Sequence, residues 1–271
     1  MFPGKAKEML VDYHVHTALC GHAEGDLQEY VRAAARIGLK EIGFSDHVIF
    51  HLDNRNYSMP LGRLPEYIDA IRDLQARFPE PRVKVGVEVD YAPGVVEAID
   101  QTLGETKLDY VLGSVHTVRG WVFDDERYIA RYQSEDIDSL WDEYFRLVQE
   151  AALTGLFDVM AHPDLVKKFG YRPKRDPSRL YAETVDAFKE AGVCVEVNTT
   201  GLRKPAREIY PCKAFLNLCF QERLPVTLGS DAHHPDEVGG GFEVALSTLR
   251  SIGYKEVSLF SGRERASALL E

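Results

Sequence analysis

The chain has 271 residues, 45% of them hydrophobic and 28% charged, with a formal net charge of -11. This is the composition of an ordinary soluble globular protein with enough residues to bury a full core in one domain, which excludes a largely disordered chain. The acidic balance argues against a surface that coats nucleic acid, since such binding draws on lysine and arginine to neutralise phosphates, and no run of about 18 apolar residues marks a membrane span.

Runs of β-branched and aliphatic residues alternate along the chain with longer segments of helical spacing. A strand is expected at 10–16, a helix at 27–37, a strand at 41–47, a helix at 64–78, a strand at 84–91, a helix at 95–103 and a strand at 110–116. The longest interruption, 118–136, is rich in aromatics and charges and reads equally well as an insertion folded over a site or as a surface loop. Beyond it come a helix at 137–154, a strand at 158–163, a helix at 178–191, a strand at 194–200, a helix at 212–221, a strand at 225–233, a helix at 242–252 and a weaker strand at 256–260. Gly38, Gly155 and Gly192 sit where left-handed caps end helices. Seven or so β-α units without a linker or repeat imply an α/β chain. The expectation is a single domain over 1–271, closed or nearly closed into a parallel barrel.

Cys20, Cys194, Cys212 and Cys219 form no C-x-x-C pair. They read as reduced, buried thiols, and with no signal peptide in view the cytoplasm is the expected compartment. Cys20 lies between histidines and admits two readings, a ligand or a small packing residue.

Five of the nine histidines end an expected strand or follow one directly: His16, His47, His116, His162 and His233. In a parallel β/α barrel the strand C-termini emerge on one face, so residues distant in sequence converge there. One such histidine alone would read as structural; all of them together, with Glu88 and Asp231 at the same strand ends, point to metal. His14 and His16 are one residue apart on a strand and share a face, where both can chelate one ion. His22 follows in a glycine-containing loop that can fold its imidazole back over the strand end. Glu88 lies in an otherwise apolar strand, where an isolated carboxylate is costly and a cation answers the cost. The last strand ends in Asp231 and His233, again one residue apart, with His234 turned away by the same alternation.

In order along the chain, His14-x-His16, Ser45-Asp-His47, Glu88, Gly113-Ser-Val-His116, Ala161-His-Pro163 and Gly229-Ser-Asp-Ala-His233 resemble the motifs of the polymerase-and-histidinol-phosphatase (PHP) superfamily over residues 10 to 235. Thr17-x-x-Cys-Gly-His-Ala-x-Gly25, Gly120-Trp-x-Phe-Asp124 and Asn198-Thr-Thr-Gly-Leu-Arg-Lys204 look like its monofunctional histidinol-phosphate phosphatase branch. The resemblance implies a distorted (β/α)7 barrel with a site for three divalent metal ions at the strand ends. It assigns His14, His16, Glu88 and Asp231 to one ion, Glu88, His116 and His162 to a second, and His22, His47 and His233 to a third. Histidine with carboxylate suits zinc, manganese and iron alike. Thr117 stands where the resemblance leads one to expect a bulkier apolar residue.

The expected reaction is hydrolysis of a small phosphate monoester, histidinol phosphate above all, with a hydroxide bridging two ions as the nucleophile. Arg203 is expected to grip the phosphate as a bidentate fork, with Lys167 or Lys168 adding charge. Asp164 and His234 are the candidates for protonating the leaving alkoxide, and Asp46 is read as orienting a ligand. Trp121, Phe123, Asp124 and Asp125 are available to recognise an imidazole or amine, although packing explains the two aromatics equally well. Three alternatives stand beside this reading: a nuclease or nucleotide phosphatase of the same superfamily, a metal-dependent amidohydrolase, and a non-catalytic metal-binding scaffold.

Overall fold

The computed structural model describes residues 10–52 and 57–270. Seven parallel staves run in the order β1 (Val11–Val15), β2 (Glu41–Phe44), β4 (Arg82–Asp90), β5 (Tyr110–Ser114), β8 (Val159–Met160), β9 (Cys194–Asn198) and β10 (Val226–Gly229), and β3 (His47–Ile49) prolongs the second stave alongside β4. The seam between first and last stave is closed by one parallel bridge, Val15 to Ala232. There the His16 N–H donates to the Ala232 carbonyl at 2.9 Å, and the Ala232 N–H to that of His14 at 3.2 Å. The result is a nearly closed, distorted (β/α)7 barrel.

Among the described residues seven helices pack on the outside: α1 (Leu27–Ile37), α2 (Leu64–Arg77), α3 (Val96–Gly104), α4 (Ile137–Leu153), α5 (Ser178–Ala191), α6 (Lys213–Gln221) and α7 (Phe242–Ile252). The starts of α1 and α4 follow from capping chemistry. Asp26 and Glu29 form a capping box at the start of α1, and Gly38 closes it in the left-handed region. Asp136 accepts from the Ser139 N–H at the start of α4, whose Leu140, Trp141, Tyr144, Phe145, Leu147, Val148 and Ala151 form one buried stripe against the barrel.

Two regions depart from expectation. The segment 41–47 is two strands, because Ser45 and Asp46 leave the ladder between β2 and β3 while the Asp46 carboxylate accepts from the backbone N–H and hydroxyl of Thr17. The weak run near 256–260 is a strand, β11 (Glu256–Ser261), but it pairs antiparallel with β12 (Glu264–Leu269) instead of joining the barrel. That hairpin plugs the barrel floor: Phe260 packs edge-on to Tyr13 at 5.8 Å between ring centroids. It shares a buried cluster with Val11, Tyr110, Leu112, Val159 and Cys194. The floor is thus packed mainly by rings and aliphatic side chains, with the buried Glu41 carboxylate accepting from the Tyr13 hydroxyl beside them, and the candidate ligands gather at the upper rim.

The interruption at 118–136 begins with a short hairpin of β6 (Thr117–Val118) and β7 (Trp121–Val122), followed by a 3-10 helix, Glu126–Gln133. Trp121 and Phe123 are buried, against Tyr132 and Tyr144 respectively, so they serve packing.

Candidate metal centre

The staves end earlier than the hydrophobic pattern suggests, and His16, His116, His162, Asp231 and His233 stand in the turns just past them. His162 and Asp231 hold φ of 28° and 54°. A non-glycine residue in that region costs on the order of 1–3 kcal/mol and persists where the surroundings over-determine it. The Tyr144 hydroxyl does so for His162 by donating to its carbonyl at 3.3 Å, and the His162 N–H donates to Glu196 Oε2 at 2.7 Å.

Glu88 is the hub. Its backbone lies opposite His47 in the β3–β4 ladder, and its side chain is fully buried. Oε2 is 2.8 Å from His47 Nδ1, 3.2 Å from His14 Nε2 and 3.6 Å from His16 Nε2. Oε1 is 2.8 Å from His162 Nε2 and 3.5 Å from His116 Nε2. Asp231 Oδ1 adds a second anionic point, 3.3 Å from His16 Nε2, 3.8 Å from His14 Nε2 and 3.5 Å from His233 Nδ1. The His16 ring stacks on those of His47 and His233, and the His22 ring packs against both of the latter at centroid distances of 5.4 and 4.6 Å. All nine residues picked out as possible ligands therefore meet at one rim.

Most of these imidazoles are anchored on one nitrogen and turned inward on the other. His14 Nδ1 is held by Glu196 Oε1 at 2.6 Å, His116 Nδ1 by Asp90 Oδ1 at 3.3 Å, His22 Nδ1 by the Cys20 carbonyl at 3.2 Å and His233 Nδ1 by the Asp231 carbonyl at 3.1 Å. Partners of this kind fix tautomer and ring orientation at metal sites. Conversely, His14 Nε2, both nitrogens of His16 and Glu88 Oε2 are buried without a hydrogen-bond partner. Buried polar atoms are almost always satisfied, so a cluster of them facing one another is what cations would relieve. Ligand atoms of His14, His16 and Asp231, of His14, Glu88 and His162, and of His16, His47 and His233 each lie within 4.8 Å of one another. The donor set fits divalent metal.

The electrostatics divide the rings: against burial, the facing carboxylates push His14 up and His116 up to about 10, while other rings shift the opposite way. Burial alone would raise the carboxyls of Glu88 and Asp231, yet the facing imidazoles hold both well below the ordinary range. His22 and His233 are pushed down to about 4, by burial first and then by neighbouring imidazoles, and His16 lies well below its usual value for the same reasons. These rings are neutral at neutral pH and present lone pairs. Burial raises Asp46 to about 7 against the bonds from Thr17, and its Oδ1 stands 3.9 Å from His16 Nδ1.

Above the rim lies a cavity of 440 Å³ whose wall carries Asp124, Lys168, Thr200, Arg203, Lys204 and Glu237. Lys168 pairs with Asp124 at 3.1 Å. Arg203 donates to the Ser230 carbonyl at 3.0 Å through Nη2, while its Nη1 is buried and without a partner. Three residues singled out from sequence stand elsewhere. Asp164 and Lys167 are fully buried and ion-paired at 2.6 Å, with Lys167 also bonded to Glu208 and to the Ile209 carbonyl. His234 is half exposed and accepts from the Asp236 N–H. None of the three lines the cavity. Asp125 turns outward to Tyr57 and Arg127.

Glu196 and Asp90 were not foreseen. The signal was available, because each is a carboxylate inside an apolar strand, as Glu88 is. Glu196→Gln keeps the shape but weakens the hold on His14 and is expected to lower metal affinity or turnover roughly 10- to 100-fold with the circular dichroism spectrum unchanged. Titration of the metal-free variant with zinc checks this, and wild-type affinity would contradict it.

A β/α barrel that gathers imidazoles and carboxylates around one buried glutamate at its strand C-termini defines a metal-dependent hydrolase of the barrel class. Residues 12–200 match the PHP domain model. The chain belongs to the PHP family, on its histidinol-phosphatase branch. It is 39% identical over 252 residues to a probable histidinol-phosphatase of Deinococcus radiodurans, covering 92% of this chain and 96% of the relative. The histidinol-phosphatase of Bacillus subtilis is 28% identical, with 87% and 97% of the two chains covered. The crystal structure of histidinol phosphate phosphatase from Lactococcus lactis, complexed with zinc, L-histidinol and phosphate, superposes with a TM-score of 0.82 at 24% identity over 95% of this chain and 98% of that one, which shows a shared fold. Among the described residues no helix is long and apolar enough to cross a membrane.

Proposed function

We propose that this protein is a histidinol-phosphate phosphatase that converts L-histidinol phosphate and water to L-histidinol and phosphate. The observation that carries the reading is the position of Glu88, a fully buried carboxylate with one oxygen facing His14, His16 and His47 and the other facing His116 and His162. A carboxylate so placed can bridge two cations through its two oxygens, and phosphate monoesters, whose uncatalysed hydrolysis is extremely slow, are the substrates that demand such concentrated positive charge. The relatives' names narrow the substrate class to histidinol phosphate.

Three divalent ions are the proposed complement, drawn from zinc, manganese or iron, with His14, His16, Asp231 and Glu88 around one, Glu88, His116 and His162 around another, and His22, His47 and His233 around the third. When bound, such ions lower the pKa of water and neutralise phosphoryl oxygens. The rest is done by the chain. Glu196, Asp90 and the Cys20 and Asp231 carbonyls keep the rings aimed. Arg203 presents its unpartnered Nη1 to a phosphoryl oxygen, and Lys168 adds a point charge from the opposite wall. Asp124 and Glu237, paired with Lys168 and Arg203 respectively, are the acids that an ammonium or imidazolium substrate group would meet in the outer cavity. The packed floor around Phe260 keeps water from reaching the centre from below.

Arg203→Ala is expected to lower kcat/KM roughly 10- to 100-fold, the value of one lost hydrogen bond to a charged group, and to weaken inhibition by inorganic phosphate to the same extent while bound metal stays constant. Steady-state kinetics on L-histidinol phosphate with phosphate as inhibitor test it; unchanged phosphate inhibition would remove Arg203 from the binding site. Turnover of L-histidinol phosphate against a panel of nucleotides and sugar phosphates tests the substrate assignment, and a preference for a nucleotide would move the reading to another phosphoesterase of the family.

A further inference from the structure

Among the described residues the free cysteines divide into two kinds. Cys194, Cys212 and Cys219 belong to the hydrophobic clusters of the core, as buried thiols usually do. Cys20 is just as buried but belongs to neither cluster. Its sulfur faces the metal centre instead. The sulfur and ring nitrogens of His22 and His233 lie within 4.8 Å of one another, and the sulfur forms a second such group with His16 and Asp46. An ion with bonds of about 2.0 Å to nitrogen and 2.3 Å to sulfur would draw the three atoms closer together than that limit.

The backbone around Cys20 turns tightly. Cys20 ends a 3-10 turn, Gly21 follows with φ of 86° in the left-handed region, and the turn this creates directs the N–H groups of His22 and Ala23 at the sulfur. Against these two donors, burial and the Asp46 carboxylate push the free thiol up to about 12, so coordination itself has to release its proton. The two proposed sets that include Glu88 and Asp231 contain carboxylates. In the set His22, His47 and His233, by contrast, every donor is an imidazole.

We propose that Cys20, as a thiolate, is a ligand of the ion held by His22 and His233, making that position a mixed nitrogen and sulfur site that selects zinc or ferrous iron over manganese. This rests on the metal-centre reading above. On coordination the S–H bond breaks, its proton passes to solvent and a sulfur lone pair forms the bond to the ion, with no change of oxidation state.

The test is to load the full-length protein with cobalt(II), measure its metal content, and record near-ultraviolet spectra of the wild type and of Cys20→Ser. The wild type is expected to show a thiolate-to-cobalt charge-transfer band that Cys20→Ser lacks, and the variant is expected to hold its weakest ion roughly tenfold or more less tightly. Bound cobalt without that band in the wild type overturns the thiolate ligand and leaves the phosphatase reading standing, and so does a band that survives Cys20→Ser. A protein that takes up no metal overturns both. The wild-type spectrum decides even if the variant folds poorly.

Discussion

Glu88→Gln is expected to reduce hydrolysis of L-histidinol phosphate by roughly 10³-fold or more, equivalent to about 4 kcal/mol of transition-state stabilisation, in a protein that still folds. The substitution keeps the shape of the side chain, so the barrel has no steric reason to rearrange. Among the described residues it removes the only charge in contact with His14, His16, His47, His116 and His162 together. It also replaces one acceptor oxygen by an NH2 group, which has hydrogens where a cation needs a lone pair. The prediction is checked by metal analysis, far-ultraviolet circular dichroism and kcat/KM on one preparation. Native structure with lost metal and lost turnover is the expected combination. Wild-type turnover in this variant would mean that the glutamate is not the bridge.

Gly229→Ala should be among the most destabilising conservative changes near the site. A Cβ at this position would stand 1.9 Å from Glu196 Oε1 and 2.7 Å from the His14 Cβ. Neither neighbour can yield cheaply. Glu196 is bound at both oxygens, to His14 Nδ1, the His162 N–H and Asn198, and His14 is fixed on β1 at the barrel seam. Either β10 moves outward or the carboxylate that aligns two possible ligands is displaced. The expected cost is about 3 kcal/mol, a fall in Tm of roughly 6–12 °C for a chain of this size, with turnover lost alongside. Gly62→Ala, where an added Cβ meets nothing within 4 Å, should leave Tm within a degree or two and serves as the control. Thermal unfolding of both variants decides the matter; equal Tm values would show that the rim is looser than its hydrogen bonds indicate.

The helices were legible in the sequence almost to the residue. Their ends are set by local chemistry, such as the Asp26 and Glu29 box, the Asp136 cap and the glycines at 38 and 192. Strand ends were less legible, because a hydrophobic run continues into a turn when the turn itself is buried. His16, His116 and His162 sit in such turns, and the left-handed backbone of His162 and Asp231 depends on tertiary contacts that no periodicity records. Asp231 and His233 do meet at one rim, as strand alternation predicts, although the strand itself ends at Gly229. The β11–β12 hairpin was half legible: a run of aliphatic residues announces a strand but not its partner.

The candidate site divides in the same way. Convergence of distant histidines followed from the barrel topology once the strands were drawn. The positions of Asp164 and Lys167 did not, because adjacency to His162 in sequence says nothing about which way a side chain leaves the turn, and these two turn inward to each other. Glu196 and Asp90 carry the same pattern as Glu88, an acid in an apolar strand. What distinguishes a bridging carboxylate from one that orients a ring is the third dimension alone.

Elemental analysis of the purified protein, paired with its turnover of L-histidinol phosphate before and after chelation, is the most direct test of the central claim. About three divalent ions per chain are expected, with turnover that disappears when the ions are stripped and returns when they are restored. A metal-free preparation that hydrolyses the ester at the same rate would contradict the account.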